Sequence, residues 1–361
     1  MNNHFNDVLD CIIIGGGQSG LAASYACKKR NLSHVVLDAH SAVGDSWRQR
    51  YDSLHLFTPR SLSALDGMVL TGKPNGYPSK DEMADYFTRY VKKYKLPVKL
   101  NQKVSQLQFA SENDRRFTII TEQGTQWHAK AVIVATGPFQ VPFVPSLATK
   151  LHRDIQQLHS SDFHNRCDVR GSRILVVGGG NSGAQIAAEL AETGKEVTIA
   201  VAHPLNFVSP IIFGKSLFGW QKLVTSLILS APTNSRRGKY LYRVGVPIIG
   251  RDLKRLLKHG QVKQRTAVSD IQGDEIIFAD GTRERYGTVL WCTGFRGDYS
   301  WLRDIAGALN EKGLPLHMEG ISPIPGLFYV GLEWQRSRAS SLVMGASQDA
   351  EFVVTQLISS S

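Results

Sequence analysis

Short apolar runs that stop at glycine, each followed by a stretch with helical spacing, recur along the chain. The first, Cys11-Ile12-Ile13-Ile14, runs into Gly15-Gly16-Gly17-Gln18-Ser19-Gly20. A helical stretch, Leu21 to Arg30, follows, and then His34-Val35-Val36-Leu37 ends in Asp38. The second, Ile174 to Val177, runs into Gly178-Gly179-Gly180-Asn181-Ser182-Gly183. It continues through a helical stretch to Glu192 and an apolar run from Glu196 to Ala200. Alternation of strand-like and helix-like segments predicts the α/β class with parallel sheets. Ser79 to Tyr94 reads as an amphipathic helix, N-capped by Ser79 with Glu82 at its third position. Lys99 to Gln108, Phe117 to Thr121 and Gln126 to Val134 read as strands, with Glu112–Arg116 a charged hairpin loop. Tyr51 to Pro59 reads as a strand ended by proline, and residues 60–80 as loop. Two further runs end in Thr-Gly: Val132-Ile133-Val134-Ala135-Thr136-Gly137 and Val289-Leu290-Trp291-Cys292-Thr293-Gly294. A last run, Leu327 to Gly331, precedes a polar loop and a terminal helix from about Ser347.

Both glycine clusters fit G-x-G-x-x-G between a strand and a helix, the setting of a dinucleotide diphosphate site. The first glycine makes the tight turn, the second lets phosphate approach the backbone, and the third lets helix and strand pack closely. Asp38 lies 18 residues after Gly20, near the spacing of about 20 expected of a carboxylate that holds a ribose hydroxyl. Two complete fingerprints predict two bound dinucleotides. Their order, with the two Thr-Gly runs and the final Val330-Gly331, predicts one Rossmann-like domain interrupted by another. Residues 1–147 and 289–361 form the first and 148–288 the second, with Pro142 and Pro145 in the outgoing linker.

A chain of 361 residues accommodates two such domains. The net charge of +11 is spread along the chain with no aromatic-interleaved basic block, so nucleic acid is not the expected partner. Cys11, Cys27, Cys167 and Cys292 form no C-x-x-C pair and no zinc spacing. No uncharged apolar run reaches membrane-spanning length, and residues 1–10 lack the regions of a signal peptide, so a cytoplasmic protein is expected. Residues 205–250 are an apolar-rich insertion interrupted by Lys215 and Lys222. They suit a cleft wall or a dimer surface better than a membrane contact.

With these motifs in place the chain resembles the flavin-containing monooxygenases among the two-dinucleotide flavoproteins, in their short bacterial form related to plant indole-pyruvate monooxygenases. The resemblance rests on the two glycine clusters, Gly44-Asp45-Ser46-Trp47, Ala135-Thr136-Gly137 and Cys292-Thr293-Gly294-Phe295. It implies FAD on the first fingerprint and NADPH or NADH on the second. The residues it implicates around the cofactors are Gly15, Gly17, Gln18, Ser19, Gly20, Asp38, Ser46, Trp47, Val104, Thr136 and Gly137. With the second fingerprint go Gly178, Gly180, Asn181, Ser182, Gly183, Ala202, His203, Thr293 and Gly294. Trp47 suits a loop over the first cofactor or simply the core. The family's linker signature survives at His159 and Phe163, but Arg153 and Ile155 stand where Phe and Gly belong. Phe57 aligns with the Asn that touches the nicotinamide in animal-type members. Ala202-His203 replaces the Arg-Ser/Thr of NADPH-selective members, which predicts use of both NADH and NADPH.

The implied reaction is FAD reduction by NAD(P)H, dioxygen addition at flavin C4a, and transfer of one oxygen from the hydroperoxide to a sulfide, an amine or a ketone. No metal is called for, and a homodimer is expected. His55, Phe57 and Gln335 are the candidate flavin-proximal side chains; His55 equally fits a packed strand histidine. Two other readings compete: an NAD(P)H oxidase or quinone-type reductase, and a non-catalytic redox sensor.

Overall fold

The computed structural model describes residues 8–111, 114–208, 211–212, 215–216, 229–244, 247–249 and 252–360. The chain opens with strand β1 (Leu9–Ile14), helix α1 (Gln18–Lys29), β2 (His34–Leu37), α2 (Asp45–Arg48) and α3 (Lys80–Tyr94). β3 (Val98–Lys99), β4 (Val104–Ser111), β5 (Asp114–Thr121) and β6 (Gln126–Val134) follow. A linker strand, β7 (Val141–Pro142), leads to β8 (Gln156–His159), β9 (Arg173–Val177), α4 (Asn181–Ala191) and β10 (Glu196–Ala200). Then come β11 (Phe207–Val208), β12 (Ile211–Ile212), β13 (Lys215–Ser216), the helix Arg236–Val244, β14 (Ile248–Ile249) and the helix Asp252–Lys258. β15 (Val262–Arg265), β16 (Val268–Gln272), β17 (Glu275–Phe278), β18 (Arg283–Arg285), β19 (Thr288–Trp291), β20 (Phe295–Arg296), β21 (Leu327–Tyr329) and the terminal helix Val343–Ser359 complete it.

Two sheets organise these elements. The first runs β3-β2-β1-β6-β5-β4, with β21 also paired to β6. β1 lies parallel to β2 and β6, and β5 antiparallel to β6. The second, β15-β10-β9-β19-β8, is parallel throughout. A strand covered on both faces is apolar along its covered stretch, as residues 11–14 of β1 and 174–177 of β9 are. In β1, Cys11 and Ile13 pack under α1 and the terminal helix, while Ile12 and Ile14 face the other core with Val132, Leu327 and Tyr329. In β9, Ile174 and Val176 pack against α4, while Leu175 meets Ile271, Ile276 and Phe278 of the β16–β18 meander. These are two Rossmann-like dinucleotide-binding domains, the second inserted into the first.

Several expectations change here. β19 pairs with β9 and β8, so residues 289–291 belong to the second sheet and the return crossing follows Trp291. Tyr51–Pro59 is not a strand; it is irregular, with one bridge from His55 to Ser79. The terminal helix begins at Val343 rather than near Ser347. Of the proposed loop Glu112–Arg116, residues 114–116 are already in β5 and 112–113 lie outside the described residues. Helix α3 carries the expected capping box, with Ser79 Oγ accepting from Glu82 N and Glu82 accepting from Ser79 N. Most of the stretch from 209 to 228, Lys222 included, lies outside the described residues.

Candidate active site

Each glycine fingerprint is built in the same way. Gly15 has φ +105° and Gly178 φ +122°, values open to glycine. A Cβ at Gly15 would meet Ala135 O at 2.6 Å, and one at Gly178 would meet Cys292 O at 2.2 Å. Gly20 and Gly183 pack directly on the first glycine: their Cβ atoms would lie 1.8 and 2.1 Å from Gly15 O and Gly178 O. The middle glycines differ, for nothing lies within 4 Å of a Cβ at Gly17 or Gly180. These two are the N-caps of α1 and α4, neither helix has a side-chain cap, and neither has an acid in its first turn. An uncapped helix N-terminus facing open space has free N–H groups and a positive dipole end, which suits a diphosphate.

The Thr-Gly runs are the backstops of these turns. Ala135 follows β6 and abuts Gly15; Cys292 follows β19 and abuts Gly178. Beyond them the two linkers pair with each other, β7 with β20. Gly294 O accepts from Phe143 N at 2.9 Å and from His159 Nε2 at 2.9 Å. His159 Nδ1 accepts from Ser161 N at 3.1 Å, so the ring is neutral with its proton on Nε2. Burial pushes its pKa down, in keeping with that form. The histidine thus joins the last strand of one sheet to the return linker.

A second bridge is the segment 51–55. Tyr51 leaves the first domain and buries its ring in the core of the second, beside Phe163. Its hydroxyl donates to Gln185 Oε1 at 2.8 Å, and Ser53 Oγ donates to Glu189 Oε2 at 2.5 Å, both acceptors on α4. A third bridge comes from the insertion. Thr233 N donates to Arg336 O at 3.1 Å, Ala339 N to Leu229 O at 3.0 Å, and Tyr242 meets Trp334 edge-on at 5.4 Å. Leu229 and Ala339 pack with Leu62, Tyr77, Ile249 and Met344, forming an apolar wall from both domains.

The residues singled out from the sequence fall as follows. Gln18 and Trp47 come together at the first turn, Trp47 Nε1 donating to Gln18 Oε1 at 3.4 Å. Ser19 is buried against Gly331. Ser46 O accepts from Arg50 Nε at 3.2 Å. Val104 opens β4 and is half-buried. Thr136 Oγ1 and Gly137 O both accept from Gln140 Nε2, at 2.9 and 2.7 Å. Asn181 turns its amide to the insertion, accepting from Ile249 N at 3.1 Å and donating to Pro247 O at 3.3 Å. Ser182 lies beside the Tyr51 hydroxyl. Ala202 and His203 are exposed just past β10. Thr293 Oγ1 donates to Phe143 O. Phe57 is half-buried, and His55 is exposed with Nδ1 at 3.0 Å from Ser53 O.

Gln335 is otherwise engaged. Its Nε2 donates to Tyr329 O at 2.8 Å and Glu319 O at 3.4 Å, and its Oε1 accepts from Leu332 N at 3.2 Å. Its amide closes the turn after β21 and ties it to Glu319, so in this structure Gln335 serves the backbone.

Asp38 sits at the end of β2 with Oδ2 on Gly16 N and Oδ1 accepting from His40 N at 2.8 Å. Burial pushes its carboxyl up, but the bonds from His40 and Gly16 outweigh this and hold it below the usual range. His40, missed in the sequence, is held protonated to higher pH, chiefly by its bond to Asp38. That stabilisation is complete below the unfolded histidine value of about 6.5 and is lost as pH rises through the raised folded value. The difference in thermal midpoint between the wild type and His40→Gln is therefore expected to shrink as pH rises above the ordinary histidine value of about 6.5. A difference that stays constant as pH rises contradicts the pairing.

Two uncapped glycine turns, backed by Thr-Gly stops and joined across one seam, define a protein that carries two dinucleotides. Residues 12–209 match the family model of pyridine nucleotide-disulphide oxidoreductases. The chain is 41% identical over 351 residues to an "uncharacterized oxidoreductase CzcO-like" of Geobacillus kaustophilus, spanning 97% of this chain and 99% of that one. It is 25% identical over 378 residues to the Arabidopsis thaliana indole-3-pyruvate monooxygenase YUCCA6, spanning 96% and 89%. A flavin-containing monooxygenase structure from Stenotrophomonas maltophilia matches with a TM-score of 0.80 at 28% identity, over 98% and 99% of the two chains. The chain belongs to the pyridine nucleotide-disulphide oxidoreductase family and, within it, is a flavin-dependent monooxygenase.

Proposed function

We propose that FAD lies along the first fingerprint and NAD(P)H along the second, and that the enzyme inserts one oxygen atom into a soft nucleophile such as a sulfide or amine, or into a ketone. NAD(P)H, dioxygen, substrate and a proton give NAD(P)⁺, oxygenated product and water. The observation that carries this reading is the pair of uncapped helices α1 and α4, whose middle glycines leave room for a diphosphate. The flavin supplies the redox and oxygen chemistry when bound. The chain's own residues bind, orient and exclude water. The N–H groups of α1 and α4 hold the diphosphates, and Asp38, whose carboxylate has acceptor capacity beyond its bonds to Gly16 and His40, takes a ribose hydroxyl. The wall of Leu229, Ala339, Leu62, Tyr77, Ile249 and Met344 keeps water from the reacting atoms. We divide the chain into an FAD unit, 1–147 with the part after Trp291, and a coenzyme unit between them.

The coenzyme site favours no 2′ substituent. Ala202 and His203 supply no guanidinium past β10. Arg265, paired with Ala200 across the sheet, is already bonded through Nε to Glu284 Oε1 at 2.7 Å. A bidentate arginine is the usual grip on a phosphate. The ratio of kcat/KM for NADPH over NADH is therefore expected within about tenfold of unity, an energy difference of about 1.4 kcal/mol. A preference for NADPH of several hundredfold contradicts this. Phe57 favours a second reading, an NAD(P)H oxidase or quinone-type reductase, because a phenyl ring offers no hydrogen bond where animal-type enzymes place Asn. The homodimer and the cytoplasmic setting remain expectations from resemblance and composition. Among the described residues no helix is long and apolar enough to cross a membrane.

A further inference from the structure

Arg50 has no place in the site as described so far. It follows α2 and precedes Tyr51, so it lies on the strap that leaves the first domain for the second. Its Nε is committed to Ser46 O at 3.2 Å. Its guanidinium lies over the ring of Phe295, in the return linker, at 4.9 Å. The Phe295 ring in turn meets His159 edge-on at 5.0 Å. The charge of Arg50 is felt both at His40, beside the first fingerprint, and at His159, on the linker. Yet among the described residues no carboxylate and no carbonyl receives its two terminal nitrogens. The neighbouring Arg48 shows the contrast: it is paired with Asp45 and Asp85.

A guanidinium does not deprotonate in a protein, so Arg50 keeps its charge. Half-buried, with its terminal nitrogens open to solvent, it holds that charge free for an incoming anion. Arginine at such a place, held through Nε and stacked on an aromatic face, is pre-organised to present its other nitrogens to a phosphate. We propose that Arg50 is a diphosphate-binding residue at the seam between the two fingerprints, a further positioning residue for a dinucleotide. Resting on the two-dinucleotide reading above, this adds a side-chain cation to sites otherwise made of backbone N–H groups. FAD and NAD(P)H carry the same diphosphate chemistry, and the test separates them.

The test compares full-length wild type, Arg50→Met and Arg50→Lys. FAD affinity is read from quenching of flavin fluorescence on titrating the apo-protein. NADH affinity is read by equilibrium dialysis against the FAD-saturated protein without oxygen. Arg50→Met is expected to lose tenfold or more in affinity for one dinucleotide, with a shallower salt dependence, and Arg50→Lys to recover most of it. Loss for FAD assigns Arg50 to the flavin's diphosphate. Loss for NADH with FAD retained assigns it to the coenzyme's. Affinities for both within threefold of wild type in both variants overturn the proposal and leave the function standing. A wild type that binds neither dinucleotide overturns both. If Arg50→Met does not fold, Arg50→Gln decides: a tenfold or greater loss for one dinucleotide supports the phosphate contact, and affinities for both within threefold of wild type overturn it.

Discussion

Gly17→Ala is expected to leave the apo-protein folded and to strip it of FAD, whereas Gly20→Ala is expected to damage the fold itself. The two glycines stand three residues apart in one motif, and the structure gives them different reasons to be glycine. A methyl at Gly20 would overlap Gly15 O at 1.8 Å, which only separation of α1 from β1 relieves. A methyl at Gly17 meets no protein atom within 4 Å. It occupies the space in front of the α1 N-terminus, where a diphosphate must come. The Gly17→Ala protein should keep the wild-type apo melting temperature and lose on the order of a hundredfold in FAD affinity, about 2.8 kcal/mol. Gly20→Ala should unfold at lower temperature with or without FAD. Apo-protein melts and FAD titrations on both variants check this. Equal FAD affinity in Gly17→Ala and wild type would remove the diphosphate from this turn.

Tyr51→Ala is expected to cost about 3 kcal/mol or more, the range for removing a large buried aromatic. The ring is 4% exposed and belongs to the core of the second domain although its backbone belongs to the strap from the first. Its loss opens a cavity beside Phe163 and leaves Gln185 without its donor. It also removes the anchor that sets one fingerprint against the other, so reduction of flavin by NADH should slow even at temperatures where the variant is folded. Tyr51→Phe keeps the ring and should cost only about 1 kcal/mol. Calorimetry and anaerobic stopped-flow reduction measure the two effects. Unchanged stability in Tyr51→Ala would show that the strap does not hold the domains together.

The parts of the fold that local rules determine were readable from the sequence. Both fingerprints, the α3 capping box at Ser79 and Glu82, and the apolar strands of each sheet are written in runs of a few residues. What was not readable depends on partners distant in the chain. The alternation of Tyr51, Leu54 and Leu56 looks like a strand because apolar residues recur. In fact Tyr51 and Leu54 serve the second core and Leu56 the first, as the strap crosses the seam. The terminal helix starts at Val343, ahead of the expected Ser347, and its first turn places Gly345 against the preceding loop. A Cβ would lie 2.2 Å from Ala339 O. The second Thr-Gly run is the counterpart of Ala135-Thr136-Gly137, each closing its own sheet beside its own first glycine, and only the strand pairing places residues 289–291 in the second sheet. Gln335 carries a polar amide in a loop near the first sheet, and only the structure shows that it serves the backbone. Arg50 and His40 gave no signal in spacing, since their meaning lies in what surrounds them.

The measurement that bears most directly on monooxygenation is the fate of reduced flavin in oxygen. FAD-loaded protein is reduced with NADH without air and mixed with oxygenated buffer, and the flavin spectrum and hydrogen peroxide are recorded together. The account predicts an oxygen-bearing flavin that persists before the oxidised spectrum returns and that discharges faster, without peroxide, when a sulfide is added. Direct return of oxidised flavin with one equivalent of hydrogen peroxide would contradict it and leave an oxidase or reductase shaped by Phe57.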